Sequence, residues 1–208
     1  SFVKHDFSEK ISLSVELTYL NYLAQQAGGL TDFMFYDNMF QSNRTRNWFS
    51  VNWMLYNMQF SYNISENTNW SINSFILDAN RYALGFRSNR VDQIDSFGVR
   101  DLIKSDFNNF GFETKILHKN NILFKKEVFL LGAKLYSGTN STKQGPGSDL
   151  SDANFSFQPS IFPNYEFQSR YSNPNLNFSL FNENIFYLND KLSLVPGLRF
   201  EYIRTSSN

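Results

Sequence analysis

The chain has 208 residues, 18% of them aromatic, and its 19 basic and 19 acidic residues give a net charge of zero. With a pI near 6.7, the composition gives no case for nucleic-acid binding, and the absence of cysteine excludes disulfides and thiolate metal sites. No run approaches the roughly 18 apolar residues of a membrane-spanning helix. A barrel remains possible, because its strands cross a membrane with apolar residues at alternate positions only.

The first predicted strand, residues 11–19, alternates without exception between an apolar set that begins at Ile11 and a polar set that begins at Ser12. Because successive side chains of a strand point to opposite faces, this pattern predicts a sheet with one apolar face. In chain order, further strands are predicted over residues 47–62, 70–86, 110–116 and 126–138, and over both halves of a hairpin at 176–202.

Two of these strands carry irregularities. The strand at 70–86 alternates less well, which either a β-bulge or apolar packing on both faces would explain. In the last strand Pro196 has no amide hydrogen to donate to a neighbouring strand. We therefore predict a break or a bulge near Pro196-Gly197.

Connections of two lengths alternate along the chain. Long segments at 24–46, 87–104 and 139–172 alternate with short turns at 63–69, 118–124 and Asn189-Asp190. Transmembrane barrels have this asymmetry, whereas a soluble sandwich has no reason to lengthen every second connection. The predicted fold class is all-β, an antiparallel transmembrane β-barrel, with a soluble all-β fold as the alternative.

The predicted strands, about seven in number, are too few to close a bacterial barrel, which needs eight or more. An open sheet in lipid would leave unpaired backbone groups at its edges. The chain also begins without Met and stops at Asn208, directly after a predicted strand. We therefore expect it to be consecutive strands of a larger barrel wall and part of a longer protein.

Several segments resemble a known family. They are PGLRFEY at 196–202 after FNENIFYLNDKLSLV, QQAGGLTD at 25–32, QSNRTRNWF at 41–49 and GPGSD at 145–149. Together they resemble TonB-dependent outer-membrane receptors and, more narrowly, the ferric dicitrate receptor branch. The resemblance implies a barrel of about 22 strands in the bacterial outer membrane, in contact with lipid, with an N-terminal plug in its lumen. Residues 1–208 would all belong to the barrel, and the plug and the C-terminal strands would lie outside this chain.

The same resemblance implies active transport of a ferric chelate that extracellular loops bind, driven by the TonB complex acting through the plug. A guanidinium group donates paired hydrogen bonds to a carboxylate. Several arginines around the same opening of the barrel would therefore suit an anionic chelate such as ferric citrate. The candidate ligand-binding residues on the long segments are Arg44, Arg46, Arg87, Arg90, Arg100 and Gln25. The alternative for each arginine is a salt bridge to Asp92, Asp95 or Asp101 nearby. No catalytic residue, metal ligand or resident cofactor is predicted.

Enzymatic function finds no support in the sequence. His5 and His118 lie near predicted short turns, far from the long segments, and no GxSxG, HExxH or phosphate-binding loop is present. Two alternatives to ferric citrate transport stay open. One is a receptor of the same superfamily for another siderophore, haem, cobalamin or a glycan. The other is a secreted all-β module that binds carbohydrate through exposed aromatic residues.

Overall fold

One antiparallel sheet makes up most of the molecule in the computed structural model, which describes residues 1–122, 125–162, 164–189 and 191–208. Its strands are β1 Phe2–Asp6, β2 Ile11–Gln25, β3 Trp48–Ser65, β4 Thr68–Gly85, β5 Asp101–Ile122, β6 Lys125–Pro146, β7 Ser169–Asn189, β8 Leu192–Leu194 and β9 Gly197–Thr205. Neighbours in sequence pair from β1 to β7, and β7 then pairs with β8 and with β9. The short helix α1, Asp32–Asp37, and a 3-10 turn, Pro159–Ile161, lie in long connections. Within the described ranges, neither has the length and apolarity that crossing a membrane as a helix requires.

The long connections all leave the same end of the sheet, and the short turns leave the opposite end. We name the long connections loop 1 (residues 26–47), loop 2 (86–100) and loop 3 (147–168). The short turns include residues 7–10 and 66–67. The predicted turns at 118–124 and Asn189-Asp190 fall partly outside the described residues. The predicted alternation of connection lengths is confirmed.

The strand count and several strand limits differ from the prediction. The described residues form nine strands instead of the predicted seven or so, because β1 was missed and because the final predicted strand is divided into β8 and β9. β1 is only five residues long, so its alternation is too short to detect. The division falls at Val195-Pro196, as predicted, and the Pro196 carbonyl still accepts a hydrogen bond from the Asn184 amide at 3.0 Å. β5 also begins earlier, and β6 ends later, than the sequence indicated.

The register assembles one continuous apolar face across the strands. Residues directly paired in an antiparallel sheet lie on the same face, and one such row is Val15, Met58 and Ser74, followed by Phe112 on β5. We call this surface the apolar band. Its members include Leu13, Val15, Leu17, Tyr56, Met58, Phe60, Ile72, Ile76, Phe110, Phe112, Leu135, Phe178, Leu180, Phe200 and Tyr202.

The opposite face of the same region is polar. Lys115 forms a 2.7 Å ion pair with Glu113, and on β9 Arg199 forms one of 2.9 Å with Glu201. Glu201 also accepts a hydrogen bond from Asn177 of β7 at 3.0 Å. The contact between Asn177 and Glu201 therefore links β7 to β9 on this face.

The irregular pattern of β4 reflects packing on both of its faces. Its pairing with β5 runs from Thr68 to Gly85 without a register shift, so no bulge interrupts it there. Ile72 and Ile76 belong to the apolar band, while Phe75 lies on the opposite face over Gly111 of β5. A side chain at that glycine would collide with the ring, which explains why an aromatic residue and a glycine face each other.

Candidate functional site

The three long loops are joined at the end of the sheet by Arg46 of loop 1. Its guanidinium donates to both carboxylate oxygens of Asp95 in loop 2, at 2.8 and 2.7 Å. It also donates to the backbone carbonyl of Gly98 at 3.1 Å and to that of Asp149 in loop 3 at 2.6 Å. The side chain is only 2% exposed, so this arginine is an internal link between loops.

Arg100, at the end of loop 2, makes a second link. It donates to the backbone carbonyls of Ser148, Arg46 and Asp152, each at 2.8 Å. It also pairs with the Asp152 carboxylate at 3.3 Å, and its own side chain is fully buried. We call Arg46, Asp95, Arg100 and Asp152 the loop clamp.

Arg44 is a third buried arginine, and it binds loop 2 alone. One terminal nitrogen donates to the Ser88 hydroxyl at 2.7 Å and to the backbone carbonyls of Arg90 and Val91, each at 3.1 Å. The other terminal nitrogen donates to the Gln93 carbonyl at 3.1 Å. Its guanidinium also lies 5.5 Å from the centre of the Phe86 ring.

The electrostatics of the loop clamp follow from its geometry. The hydrogen bonds from Arg46 lower the pKa of Asp95 against the opposing effect of burial, and they raise the pKa of Arg46. Burial and then the nearby charge of Arg46 lower the pKa of Arg100. Asp95 therefore stabilises the folded loops in its ionised form.

This shift predicts an acid-sensitive loop assembly. Because the folded pKa of Asp95 lies below its unfolded value of about 4, its contribution is complete above about pH 4 and is lost as the pH falls through the folded pKa. Hydrogen–deuterium exchange, corrected for intrinsic rates, should show loops 1 and 2 losing protection below about pH 4. Asp95→Asn should remove that pH dependence, and an unchanged acid transition in this variant would contradict the assignment.

Two of the predicted arginines lie at the surface. Arg87 is 57% exposed, 3.6 Å from the Asp101 carboxylate, and its guanidinium stacks 5.0 Å from the centre of the Phe167 ring. Arg90 is 79% exposed and lies 3.8 Å from Asp92. More than half of each of these two side chains is therefore accessible to solvent. The predicted Asp partners are thus found for Arg46, Arg87 and Arg90.

The remaining predicted residue, Gln25, ends strand β2 beside loop 1. Its side-chain amide donates to the backbone carbonyl of Thr45. The structure therefore brings Arg44, Arg46 and Arg100 together in the interior of the loops. Arg87 and Arg90 lie at the surface of loop 2. Gln25 contacts the backbone of loop 1.

A cleft of about 490 Å³ opens between loops 1 and 2 beside Arg44 and Arg90. Gly28, at φ 77°, lies so close to Arg44 and Asn43 that a side chain there would collide with both. The cleft is lined by Gln26, Gly28, Gly29, Arg44, Asn47, Phe86, Ser88, Asn89, Arg90 and Val91. With the exposed guanidinium of Arg90, several side-chain amides and the hydroxyl of Ser88, it can accept an anionic, oxygen-rich ligand. Asn47, Ser88 and Asn89 were not among the predicted site residues.

A second polar cluster fastens the far end of loop 3. The Tyr165 hydroxyl donates to Asp101 at 3.2 Å, and Gln144 donates to the other carboxylate oxygen at 2.7 Å. Burial and the neighbouring Asp101 raise the pKa of Tyr165 to about 12. Tyr165 therefore stays a donor at all physiological pH values. This cluster too was missed, because its members lie far apart in sequence.

The histidines lie away from the loops. Within the described ranges, His118 contacts Thr68 at 2.8 Å near the short turns, and His5 lies on β1 against Phe7. In the same ranges no group of three or more His, Asp or Glu side chains is arranged to hold a metal ion.

Comparison with known proteins gives a structural match only. No family model matches the sequence, and the search of curated proteins finds no match. The ferric citrate transporter FecA in its unliganded form superposes with a TM-score of 0.74 at 16% identity, over 99% of this chain and 29% of that one. BauA, the ferric preacinetobactin receptor from Acinetobacter baumannii, superposes with a TM-score of 0.68 at 11% identity, over 98% of this chain and 33% of that one.

These two matches are a transporter and a receptor, and this chain spans about a third of the length of each. Its sheet therefore has the fold of a segment of a β-barrel receptor.

Proposed function

We propose that the chain is part of the wall of a TonB-dependent outer-membrane receptor that takes up a ferric chelate, with ferric citrate as the first candidate. The fold likeness to a ferric citrate transporter and to a ferric preacinetobactin receptor supports the class of cargo. The apolar band supports contact with outer-membrane lipid, since barrel strands present apolar residues outward and polar residues to the lumen. In this proposal the plug, the closing strands and the contact with the TonB complex belong to other parts of the protein.

The chelate would bind at the cleft between loops 1 and 2. The observation that carries this assignment is the position of Arg90, whose exposed side chain borders a cleft that is also lined by side-chain amides and the Ser88 hydroxyl. Arg87 lies in the same loop, and its side chain is 57% exposed. Ferric citrate presents carboxylates, which a guanidinium binds through paired, charge-assisted hydrogen bonds.

Arg90→Met should weaken ferric citrate binding about ten- to hundredfold, because it removes a charge-assisted contact worth about 1.5–3 kcal/mol. Isothermal titration of the complete receptor in detergent would measure the change. Lys10→Met is a matched control, since Lys10 is exposed on a turn at the opposite end of the sheet. Equal binding by the Arg90 variant and the native protein would remove Arg90 from the site.

One observation favours a different cargo within the same class. Loop 1 presents Phe33, Tyr36 and Phe40 almost fully to solvent on and beside α1. Exposed aromatic clusters are typical of surfaces that bind a partner or a ligand. A chelate with aromatic groups, or a glycan, would use them, and binding that depends on these rings and not on Arg90 would favour that cargo over ferric citrate.

A further inference from the structure

We infer that Arg46 and Arg100 are positioning residues, which fasten loops 1, 2 and 3 into one body so that the chelate cleft is assembled before any ligand arrives. The statement about the cleft rests on the proposed function. The statement about the loops rests on the structure alone.

Each pair of loops is joined directly by one of these guanidinium groups. Arg46 connects loop 1 to loop 2 through Asp95 and to loop 3 through the Asp149 carbonyl. Arg100 connects loop 2 to loop 3 through the Ser148 carbonyl and to loop 1 through the Arg46 carbonyl. Separating any two loops would break at least one of these bonds and leave a guanidinium group without its partners.

Burial makes these bonds difficult to exchange for water. The side chains of Arg46 and Arg100 are 2% and 0% exposed. A buried charge that loses its partner is strongly destabilising, and buried backbone carbonyls also require donors. The clamp is therefore closed at neutral pH in the absence of ligand.

The conformation of Phe97 supports a rigid assembly. It adopts φ 57°, a left-handed conformation that is an outlier for a bulky residue. Its amide donates to the Asp95 carboxylate at 2.8 Å, and its ring lies 5.1 Å from the Arg46 guanidinium. An unfavourable backbone conformation persists only where the surroundings determine it closely, and here the surroundings are the clamp.

The clamp also fixes a wall of the cleft. Arg44 and Asn47, on either side of Arg46 in sequence, both line the cleft. The Asn47 amide donates to the Arg44 carbonyl at 3.1 Å, and its side-chain oxygen accepts from the Phe86 amide at 2.9 Å. A shift of Arg46 would therefore move the loop 1 wall relative to loop 2. A site built in advance avoids the cost of ordering loops on binding.

Distances between spin labels would test this inference in the complete receptor. Thr45→Cys in loop 1 and Ser151→Cys in loop 3 place labels at exposed positions in a chain that has no native cysteine. We expect one narrow distance distribution, unchanged by saturating ferric citrate. Arg46→Met should broaden it without ligand, while Arg46→Lys should restore it only in part, because lysine lacks the planar fork of donors. Lys10→Met, a control at an exposed position on the opposite end of the sheet, should leave it narrow.

A native distribution that is broad without ligand and narrows with ferric citrate would overturn the inference, as would an unchanged distribution in the Arg46→Met receptor. If that variant does not fold, Asp95→Asn offers a milder disruption of the same link, with the same expectation. A narrow native distribution in a receptor that does not bind ferric citrate would refute the proposed cargo and leave the clamp standing.

Discussion

Leu102→Ala is expected to lower the free energy of unfolding by about 2–5 kcal/mol, the usual cost of removing a fully buried leucine side chain. Leu102 is 0% exposed and pairs directly with Leu84, which is 1% exposed. Gly147 of loop 3 lies on both leucines so closely that a side chain there would collide with Leu84. Loop 3 cannot collapse into the resulting cavity without breaking its contacts to Arg100, so the cavity would persist.

Urea unfolding of the complete protein, refolded into lipid vesicles, would measure this change. Leu150→Ala is the matched control, because Leu150 lies in loop 3 but is 63% exposed. Its substitution should alter stability by less than about 0.5 kcal/mol. Equal effects of the two substitutions would show that the leucine pair is not a packed core.

The buried apolar side chains are concentrated near the loops and not in the middle of the sheet. Leu84, Leu102 and Ala79 are the buried apolar side chains of the described residues, and they lie toward the loop end of the sheet. Farther from the loops, apolar side chains of the band such as Val15 and Leu180 stay exposed. The loops are thus packed on the sheet like a small globular unit, while the middle of the sheet needs an apolar medium or a partner to cover it.

Sequence patterns predicted the features that depend on local spacing. Alternation of period two located β2, β3 and the β7 hairpin, and the long and short connections followed from the intervals between them. Pro196 marked the break before β9 because the loss of one backbone donor is a property of a single residue. The two-sided packing of β4 was recognised as one of two explanations, and the register resolves it.

The partners of the arginines were only partly predictable. Asp95 lies 49 residues from Arg46, and it was among the carboxylates proposed as alternatives to a ligand. The backbone carbonyl of Asp149, 103 residues away, could not be anticipated, because a carbonyl group leaves no signal in a sequence. For the same reason, sequence could not separate the buried Arg44, Arg46 and Arg100 from the exposed Arg87 and Arg90.

Met58→Lys and Asn57→Lys together test which face of the sheet meets lipid. Met58 lies in the apolar band between Val15 and Ser74, is 39% exposed, and has the band residues Tyr56 and Phe60 on either side of it on β3. Asn57 is its neighbour in sequence but lies on the opposite, polar face, where it pairs directly with Glu16. The two positions are neighbours on the same strand, so they lie at nearly the same depth in the sheet. They differ in which face of the sheet their side chains occupy.

A lysine at the lipid-facing midplane of a membrane barrel costs about 2–4 kcal/mol, whereas lumenal substitutions are tolerated. If the sheet lies in a membrane as proposed, Met58→Lys should destabilise the protein in vesicles by that amount, while Asn57→Lys should stay near neutral because Glu16 can pair with the new charge. The reverse order would place the polar face toward lipid. Two small effects would mean that neither face lies in a membrane, and the sheet would then belong to a water-soluble protein whose apolar band binds another partner.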